Sequence, residues 1–265
     1  MKDWGDRCDI FTSSVAEKYG GTSIDSSNEN NLVIPSMGVI VTNRCTLSCK
    51  GCNHLRDLYE PSDNVTFSVD VIIDDLKKII SAVDLIEKLV IVGGEAFVHK
   101  DIVEILKRII ELPKIGYIQI ITNGTVILKD ERIYELLEHP KVLIEVSGYG
   151  DRIPERLQKN VNNFIKKLDE FDIVYDYVET LTWFDFGDFE YRNYSPEEHL
   201  RVYETCCFIS NDLFDGKMYK CSRTVFATHL KKIRDYPSDY VDIRALPADI
   251  LRKRLKSYLA FGKPM

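Results

Sequence analysis

Residues 38–52 read GVIVTNRCTLSCKGC, an apolar run followed almost at once by three cysteines. The run is rich in Val and Ile and nearly continuous, which is typical of a strand covered on both faces. Cys45, Cys49 and Cys52 follow it with the spacing C-x3-C-x2-C. Thiolates at this density suit an iron–sulfur cluster or zinc, and three of them leave one metal position for another ligand. The stretch therefore predicts a metal site at the carboxyl end of a parallel strand.

Similar apolar runs recur along the chain and alternate with helical patterns. Five runs are expected to be strands, at residues 39–41, 89–92, 118–121, 143–146 and 173–178. Between them, apolar residues recur at helical spacing over residues 69–83, 102–110, 132–137 and 161–168. Such alternation predicts repeated βαβ units. The fold class that we expect is α/β, a partial (β/α)6 TIM-like barrel, in which ligands bind at the carboxyl ends of the strands.

The alternation of strand and helix patterns stops after about residue 180. Ser195, with Glu198 three residues later, is typical of a helix N-terminus. Asp215-Gly216 between two apolar runs predicts the turn of a β-hairpin. A basic helix with interspersed Leu residues is expected near residues 249–259. We therefore expect an irregular lead-in over residues 1–35, the partial barrel over 36–192, and a small C-terminal hairpin and helix segment over 193–265.

Composition narrows the classes of function. The chain has 265 residues and a formal net charge of −7, so a nucleic-acid partner held by a broad basic surface is not expected. No apolar run reaches membrane-spanning length, and no apolar block marks a signal peptide, so we expect a cytoplasmic protein without a membrane partner. Seven cysteines in such a protein indicate metal or redox chemistry, because cytosolic thiols stay reduced.

Small or polar residues follow three further predicted strands. Gly93-Gly94-Glu95 comes directly after the second strand, Thr122-Asn123-Gly124 after the third, and Ser147-Gly148 after the fourth. Adjacent glycines allow a ligand to approach the backbone closely, and a Glu carboxylate accepts hydrogen bonds from an ammonium group. Because the carboxyl ends of parallel strands meet at one rim, we expect these residues beside the cysteines.

Together, the cysteine spacing and Gly93-Gly94-Glu95 resemble those of radical S-adenosylmethionine (SAM) enzymes. The resemblance covers roughly residues 36–180. It implies that Cys45, Cys49 and Cys52 hold a [4Fe–4S] cluster whose fourth iron binds the amino and carboxylate groups of SAM. Reduction then cleaves SAM to methionine and a 5′-deoxyadenosyl radical, which abstracts a hydrogen atom from a substrate. An external electron donor such as flavodoxin or ferredoxin is implied as a partner.

The resemblance also implies roles for the rim residues. Gly93, Gly94 and Glu95 would hold the SAM amino group, and Asn123 and Ser147 would lie near its ribose or methionine. The residue before the third cysteine, commonly aromatic in the family and near the adenine, is Gly51 here. The adenine would therefore pack elsewhere, and Leu55 and Tyr149 are the alternatives.

A second cysteine pattern occurs near the C-terminus. Cys206, Gly216 and Cys221 form C-x9-G-x4-C, which resembles the start of the SPASM or twitch module. That module carries auxiliary [4Fe–4S] clusters, so a second cluster is implied at Cys206 and Cys221. The sequence has no cysteine after Cys221, so the auxiliary site would be truncated or degenerate.

The sequence also allows other interpretations of the cysteines, of the turn after the third strand and of the substrate. A structural Cys3His zinc site with His54, or a non-catalytic iron–sulfur module, would explain the cysteines but not Gly93-Gly94-Glu95. Thr122-Asn123-Gly124 is also ordinary turn chemistry. A small molecule such as a sugar or cyclitol is the favoured substrate, and a peptide or protein side chain is the alternative. The sequence does not assign a catalytic residue for the hydrogen-abstraction step.

Overall fold

The computed structural model of the protein describes residue 28 and residues 30–179, 187–204 and 210–260. Within these ranges, eight strands form one sheet in the order β5-β4-β3-β2-β1-β6-β7-β8. The strands are β1 (Val33–Thr42), β2 (Leu85–Gly93), β3 (Ile115–Thr122), β4 (Val142–Gly148), β5 (Tyr175–Glu179), β6 (Asp212–Phe214), β7 (Lys217–Tyr219) and β8 (Tyr240–Asp242).

Strands β1 to β5 are parallel neighbours in sequence order. Each connection therefore steps in the same direction across the sheet, as in a β/α barrel and unlike a doubly wound sheet. The expected α/β fold with a partial barrel is confirmed. The strand order brings the ends of β1 to β4 to one rim, which is where the predicted site residues lie in the sequence.

Seven α-helices accompany the sheet in the described residues. They are α1 (Val69–Ile80), α2 (Ile102–Ile110), α3 (Arg132–Leu137), α4 (Glu155–Glu170), α5 (Pro196–Glu204), α6 (Ser222–His229) and α7 (Ala248–Ala260). Helix α1 shows why they form: the Ser68 hydroxyl accepts a hydrogen bond from the Val71 N–H, and an apolar stripe that includes Leu76 is buried. None of the described helices combines the length and apolar character needed to cross a bilayer.

The predicted elements agree with the observed ones apart from their ends. Strand β1 begins at Val33, so the irregular lead-in expected over residues 1–35 is too long at its C-terminal end. Ser195 and Glu198 form the expected capping box, in which each side chain bonds the other residue's backbone N–H at 3.3 and 2.8 Å respectively. Asp215 and Gly216 both have positive φ and join β6 to β7 in the expected hairpin.

The hairpin extends the main sheet, which the sequence did not indicate. Strand β6 pairs in parallel with β1, with Gly38 opposite Asp212, and β7 and β8 follow antiparallel. Helix α6 packs its Phe226 against Ile40 on one face of the sheet, in a second core cluster beside the larger one formed with the other helices. A domain boundary near residue 193 stays a prediction.

An ion pair joins the C-terminal part of the chain to helix α1. Arg244 makes two hydrogen bonds to the Asp75 carboxylate, at 2.7 and 2.8 Å, and one to Asp215 at 3.0 Å. Asp75 is only 6% exposed, whereas the Arg244 side chain is 44% exposed. Bidentate pairing of this kind fixes geometry as well as charge.

We expect Arg244→Met to lower the free energy of unfolding by about 1–3 kcal/mol, because it leaves the buried Asp75 carboxylate without its main partner. Arg132→Met is the matched control, since Arg132 pairs with Asp130 at 2.6 Å on an exposed surface. There the loss should stay below about 1 kcal/mol. Urea unfolding of both variants measures the difference, and equal losses would contradict the structural role given to Arg244.

Candidate active site

All the residues predicted for the principal site line one cavity. It lies at the carboxyl ends of β1 to β4, and the lining includes Cys45, Cys49, Cys52, Gly93, Gly94, Glu95, Asn123 and Ser147. The structure thus brings together the residues that the sequence assigned to one rim. Tyr149 also lines the cavity, whereas Leu55 is buried in the core cluster with Phe226. Of the two residues considered for adenine packing, only Tyr149 faces the cavity.

The segment that carries the three cysteines, residues 43–56 after β1, is called the cysteine loop here, and backbone hydrogen bonds hold it. The Cys52 N–H donates to the Cys49 carbonyl at 3.2 Å, and the Leu55 N–H donates to the Cys52 carbonyl at 2.8 Å. Gly51 has φ +75°, a left-handed conformation that favours glycine. The backbone therefore gives a physical reason for a glycine before the third cysteine. None of the three thiols is in a disulfide.

The thiols are poorly solvated. Burial raises the pKa of the Cys45 thiol to about 12, and burial is also the main cause that raises the pKa of Cys49 and Cys52. The protein without metal thus holds these groups as neutral thiols near neutral pH. Binding of iron must displace their protons, since thiolates are the ligands.

Gly93 and Gly94 lie against the end of β1 and the loop that follows it. The Gly94 N–H donates to the Thr42 carbonyl at 2.9 Å, and the Glu95 N–H donates to the Arg44 carbonyl at 2.8 Å. A Cβ atom on Gly93 would lie 2.2 Å from the Thr42 carbonyl oxygen, and one on Gly94 would lie 2.4 Å from that of Arg44. The glycines are therefore required by the adjacent backbone, which is a different reason from the ligand approach that the sequence indicated.

Glu95 ties the loop after β2 to the end of β3. Its carboxylate accepts hydrogen bonds from the Thr122 hydroxyl at 2.8 Å, the Asn123 N–H at 2.7 Å and the Phe97 N–H at 3.1 Å. The residue is 2% exposed, and burial raises its pKa while the hydrogen bonds oppose that shift. Both carboxylate oxygens are thus engaged by the protein, and a contact to a ligand ammonium group stays a prediction.

Asn123 turns its amide towards the cysteine loop. Its Nδ2 lies 3.5 Å from Cys45 Sγ and 3.2 Å from the Thr46 hydroxyl, and its Oδ1 accepts from the Thr125 N–H at 2.9 Å. Ser147 contributes a half-buried side chain from the end of β4. The structure therefore brings Asn123 close to a cysteine sulfur. The positions expected for Asn123 and Ser147 near the ribose or methionine of SAM stay predictions.

Two further residues, His54 and Arg56, line the cavity, and the sequence indicated a role only for His54, as a zinc ligand. His54, considered above as a zinc ligand, has its Nδ1 2.8 Å from the Gly93 carbonyl oxygen, and its ring centroid is 4.4 Å from that of Phe226. Arg56 lies 4.4 Å from the Tyr59 ring centroid and donates to Asn64 at 3.1 Å. Its Nε is buried with no hydrogen-bond partner among the described residues. The only available signal for both was their position just after Cys52.

The second predicted cysteine site is only partly visible. Cys206 lies outside the described residues. Cys221 is a free, half-buried thiol at the N-terminus of α6, and it does not line the cavity described above. The auxiliary site at Cys206 and Cys221 therefore stays a prediction.

We expect Glu95→Gln to loosen the junction between the loops after β2 and β3, because an amide NH2 would face donors where a carboxylate oxygen accepted. Hydrogen exchange followed by mass spectrometry should show faster exchange in the peptides that contain Phe97 and Asn123. The free energy of unfolding should fall by about 1–3 kcal/mol. Glu104→Gln, at an exposed position of α2, is the control and should change neither quantity. Unchanged exchange in Glu95→Gln would contradict the role given to this carboxylate.

Two known proteins are similar to part of this sequence. The chain is 32% identical over 145 residues to a GTP 3′,8-cyclase of Aquifex aeolicus (strain VF5), covering 51% of this chain and 41% of that protein. It is 30% identical over 93 residues to a GTP 3′,8-cyclase of Alkaliphilus metalliredigens (strain QYMF), covering 35% of this chain and 28% of that protein. The chain thus spans less than half the length of these two relatives.

A solved structure has a similar fold, and a family model matches the sequence. The structure of histidine-tagged anSMEcpe with bound AdoMet resembles this fold with a TM-score of 0.53 at 14% identity, covering 84% of this chain and 80% of that one. The family model of the radical SAM superfamily matches residues 39–182, which is more than half of the chain. The chain therefore belongs to the radical SAM superfamily, a family of enzymes that use a [4Fe–4S] cluster and SAM.

Proposed function

We propose that this protein reductively cleaves SAM and abstracts a hydrogen atom from a small-molecule substrate, with a sugar or cyclitol favoured. The observation that carries the proposal is the convergence of Cys45, Cys49 and Cys52 with the loops after β2, β3 and β4 on one cavity. Residues far apart in sequence are thus gathered where a β/α barrel binds its ligands.

The residues at the cavity fit an iron–sulfur cluster. Cys45, Cys49 and Cys52 all line it, and three cysteine ligands would leave one iron of a [4Fe–4S] cluster for another ligand. The buried and unpartnered Nε of Arg56 adds a donor for an anionic group at the same cavity.

The bound cluster would supply the electron that cleaves SAM, and the chain's own residues would hold and orient the reactants. Cys45, Cys49 and Cys52 would ligate the cluster. The backbone of Gly93 and Gly94 lines the cavity beside the cysteine loop, which supports a role in binding the SAM amino group. Tyr149 lines the same cavity, and its aromatic ring is the available packing surface for adenine.

The choice of a hydroxyl-bearing substrate is supported by polar groups deeper in the barrel. Gln119 and Glu145 lie two residues before Ile121 and Ser147, which line the cavity, and therefore on the same faces of β3 and β4, about 7 Å deeper. The Gln119 Nε2 donates to Glu145 Oε2 at 2.8 Å, and Gln119 is 7% exposed. An amide and a carboxylate together offer donors and acceptors, which would suit a hydroxyl-bearing ligand; peptide or protein side chains are the alternative substrates.

The cellular compartment and the electron donor that we propose follow from this chemistry. The four cysteines of the described ranges are free thiols, which is the state that cluster assembly needs. We therefore propose a reducing, cytoplasmic setting with flavodoxin or ferredoxin as the electron donor.

The proposal is tested by anaerobic reconstitution with iron and sulfide, followed by reduction with dithionite in the presence of SAM. We expect 5′-deoxyadenosine to form, and we expect Cys49→Ala to abolish its formation because one cluster ligand is lost. Cys8→Ala, remote in sequence from the cysteine loop, is the control and should retain the activity. A protein that takes up zinc alone, or that holds a cluster but never cleaves SAM with candidate sugars, cyclitols or peptides present, would refute the proposal.

The auxiliary cluster has a separate test. If Cys221 ligates a second [4Fe–4S] cluster, the reconstituted protein should contain about eight iron atoms per chain, and Cys221→Ala should lower that to about four. Iron and sulfide analysis of the two proteins gives the answer. About four iron atoms in both would remove the auxiliary site and leave the principal cluster intact.

A further inference from the structure

The sulfur of Cys45 accepts hydrogen bonds from two different loops. The Leu47 N–H, in the cysteine loop itself, lies 3.4 Å from Cys45 Sγ. The second donor is Asn123 Nδ2, at 3.5 Å, which comes from the end of β3. The donors that reach Cys52 are the backbone N–H groups of His54 and Arg56, both within the cysteine loop. Asn123 thus differs from these donors, since it is a side chain brought in by another strand.

The orientation of the Asn123 amide follows from its partners. The Thr125 N–H can only donate, so the amide atom 2.9 Å from it must be the oxygen. The Thr125 hydroxyl also donates to Oδ1, at 2.6 Å. The amino group consequently faces Cys45 and Thr46. Asn123 is 6% exposed, and its backbone N–H is bound by Glu95, so the side chain has little freedom to turn away.

We propose that Asn123 raises the reduction potential of the [4Fe–4S] cluster, because its amide donates a hydrogen bond to Cys45 Sγ. This inference rests on the proposed function, because it requires the cluster at Cys45, Cys49 and Cys52. Reduction adds one electron to the cluster and increases the negative charge on its cysteine sulfurs. A fixed N–H donor stabilises that charge more in the reduced form than in the oxidised form.

The experiment compares midpoint potentials in reconstituted protein, measured by anaerobic redox titration followed by electron paramagnetic resonance (EPR). Asn123→Ala removes the donor without adding charge, and Asn123→Asp removes it while keeping an acceptor for Thr125. We expect the ratio of reduced to oxidised cluster at a fixed potential to fall several-fold in Asn123→Ala, and further in Asn123→Asp. A tenfold fall corresponds to about 59 mV for one electron.

Asn160→Ala is the matched control. Asn160 Nδ2 donates to the Thr125 carbonyl at 2.9 Å, so the change removes an equivalent amide one layer further out. The midpoint potential of the cluster in Asn160→Ala should equal that of the cluster in the unchanged protein. An equal shift in Asn160→Ala, or a shift in Asn123→Asp but not in Asn123→Ala, would overturn the proposal in favour of loosened packing or of charge alone.

A measurement on the unchanged protein covers variants that fail to assemble. With asparagine labelled with 15N in its side chain, pulsed EPR of the reduced cluster should detect a coupled asparagine nitrogen. Absence of that coupling in a protein that cleaves SAM would overturn this inference alone. Failure to form any [4Fe–4S] cluster would overturn both this inference and the proposed function.

Discussion

The buried carboxylate of Glu95 is the contact on which the geometry of the site depends. Glu95 is joined through its backbone N–H to the Arg44 carbonyl just before Cys45, and through its side chain to Thr122 and Asn123. One residue thus connects the ends of β1, β2 and β3. Because each of these loops leaves its strand separately, the thiols and the polar residues meet only while these bonds hold them in register.

Two adjacent glycines make this contact sterically feasible. The end of β1 and the loop after it pass so close to Gly93 and Gly94 that a methyl group at either position would overlap a backbone carbonyl. Buried N–H and C=O groups also need partners, and the bonds from Gly94 to the Thr42 carbonyl and from Glu95 to the Arg44 carbonyl meet this need. Close packing and hydrogen bonding therefore act together to fix the cysteine loop.

The C-terminal part of the chain also contacts the cysteine loop. Phe226 of α6 packs against Leu55 and lies 4.4 Å, between ring centroids, from His54. His229 Nε2 lies 2.7 Å from the Asp63 carbonyl oxygen and 3.3 Å from Asn43 Nδ2. Hence the elements after residue 210, although distant in sequence from the cysteines, contribute to the rigidity of the cysteine loop.

The sequence by itself determined the alternation of strands and helices, the cysteine spacing, the capping box at Ser195 and the turn at Asp215-Gly216. These are local patterns, in which a few neighbouring residues carry the physical cause. Only the tertiary structure decided that β6 adds to the open side of β1, that Glu95 bonds to the protein, and that Asn123 turns its amide to Cys45. Those outcomes depend on register and side-chain direction between segments far apart in the chain, where no periodicity or spacing records the partner.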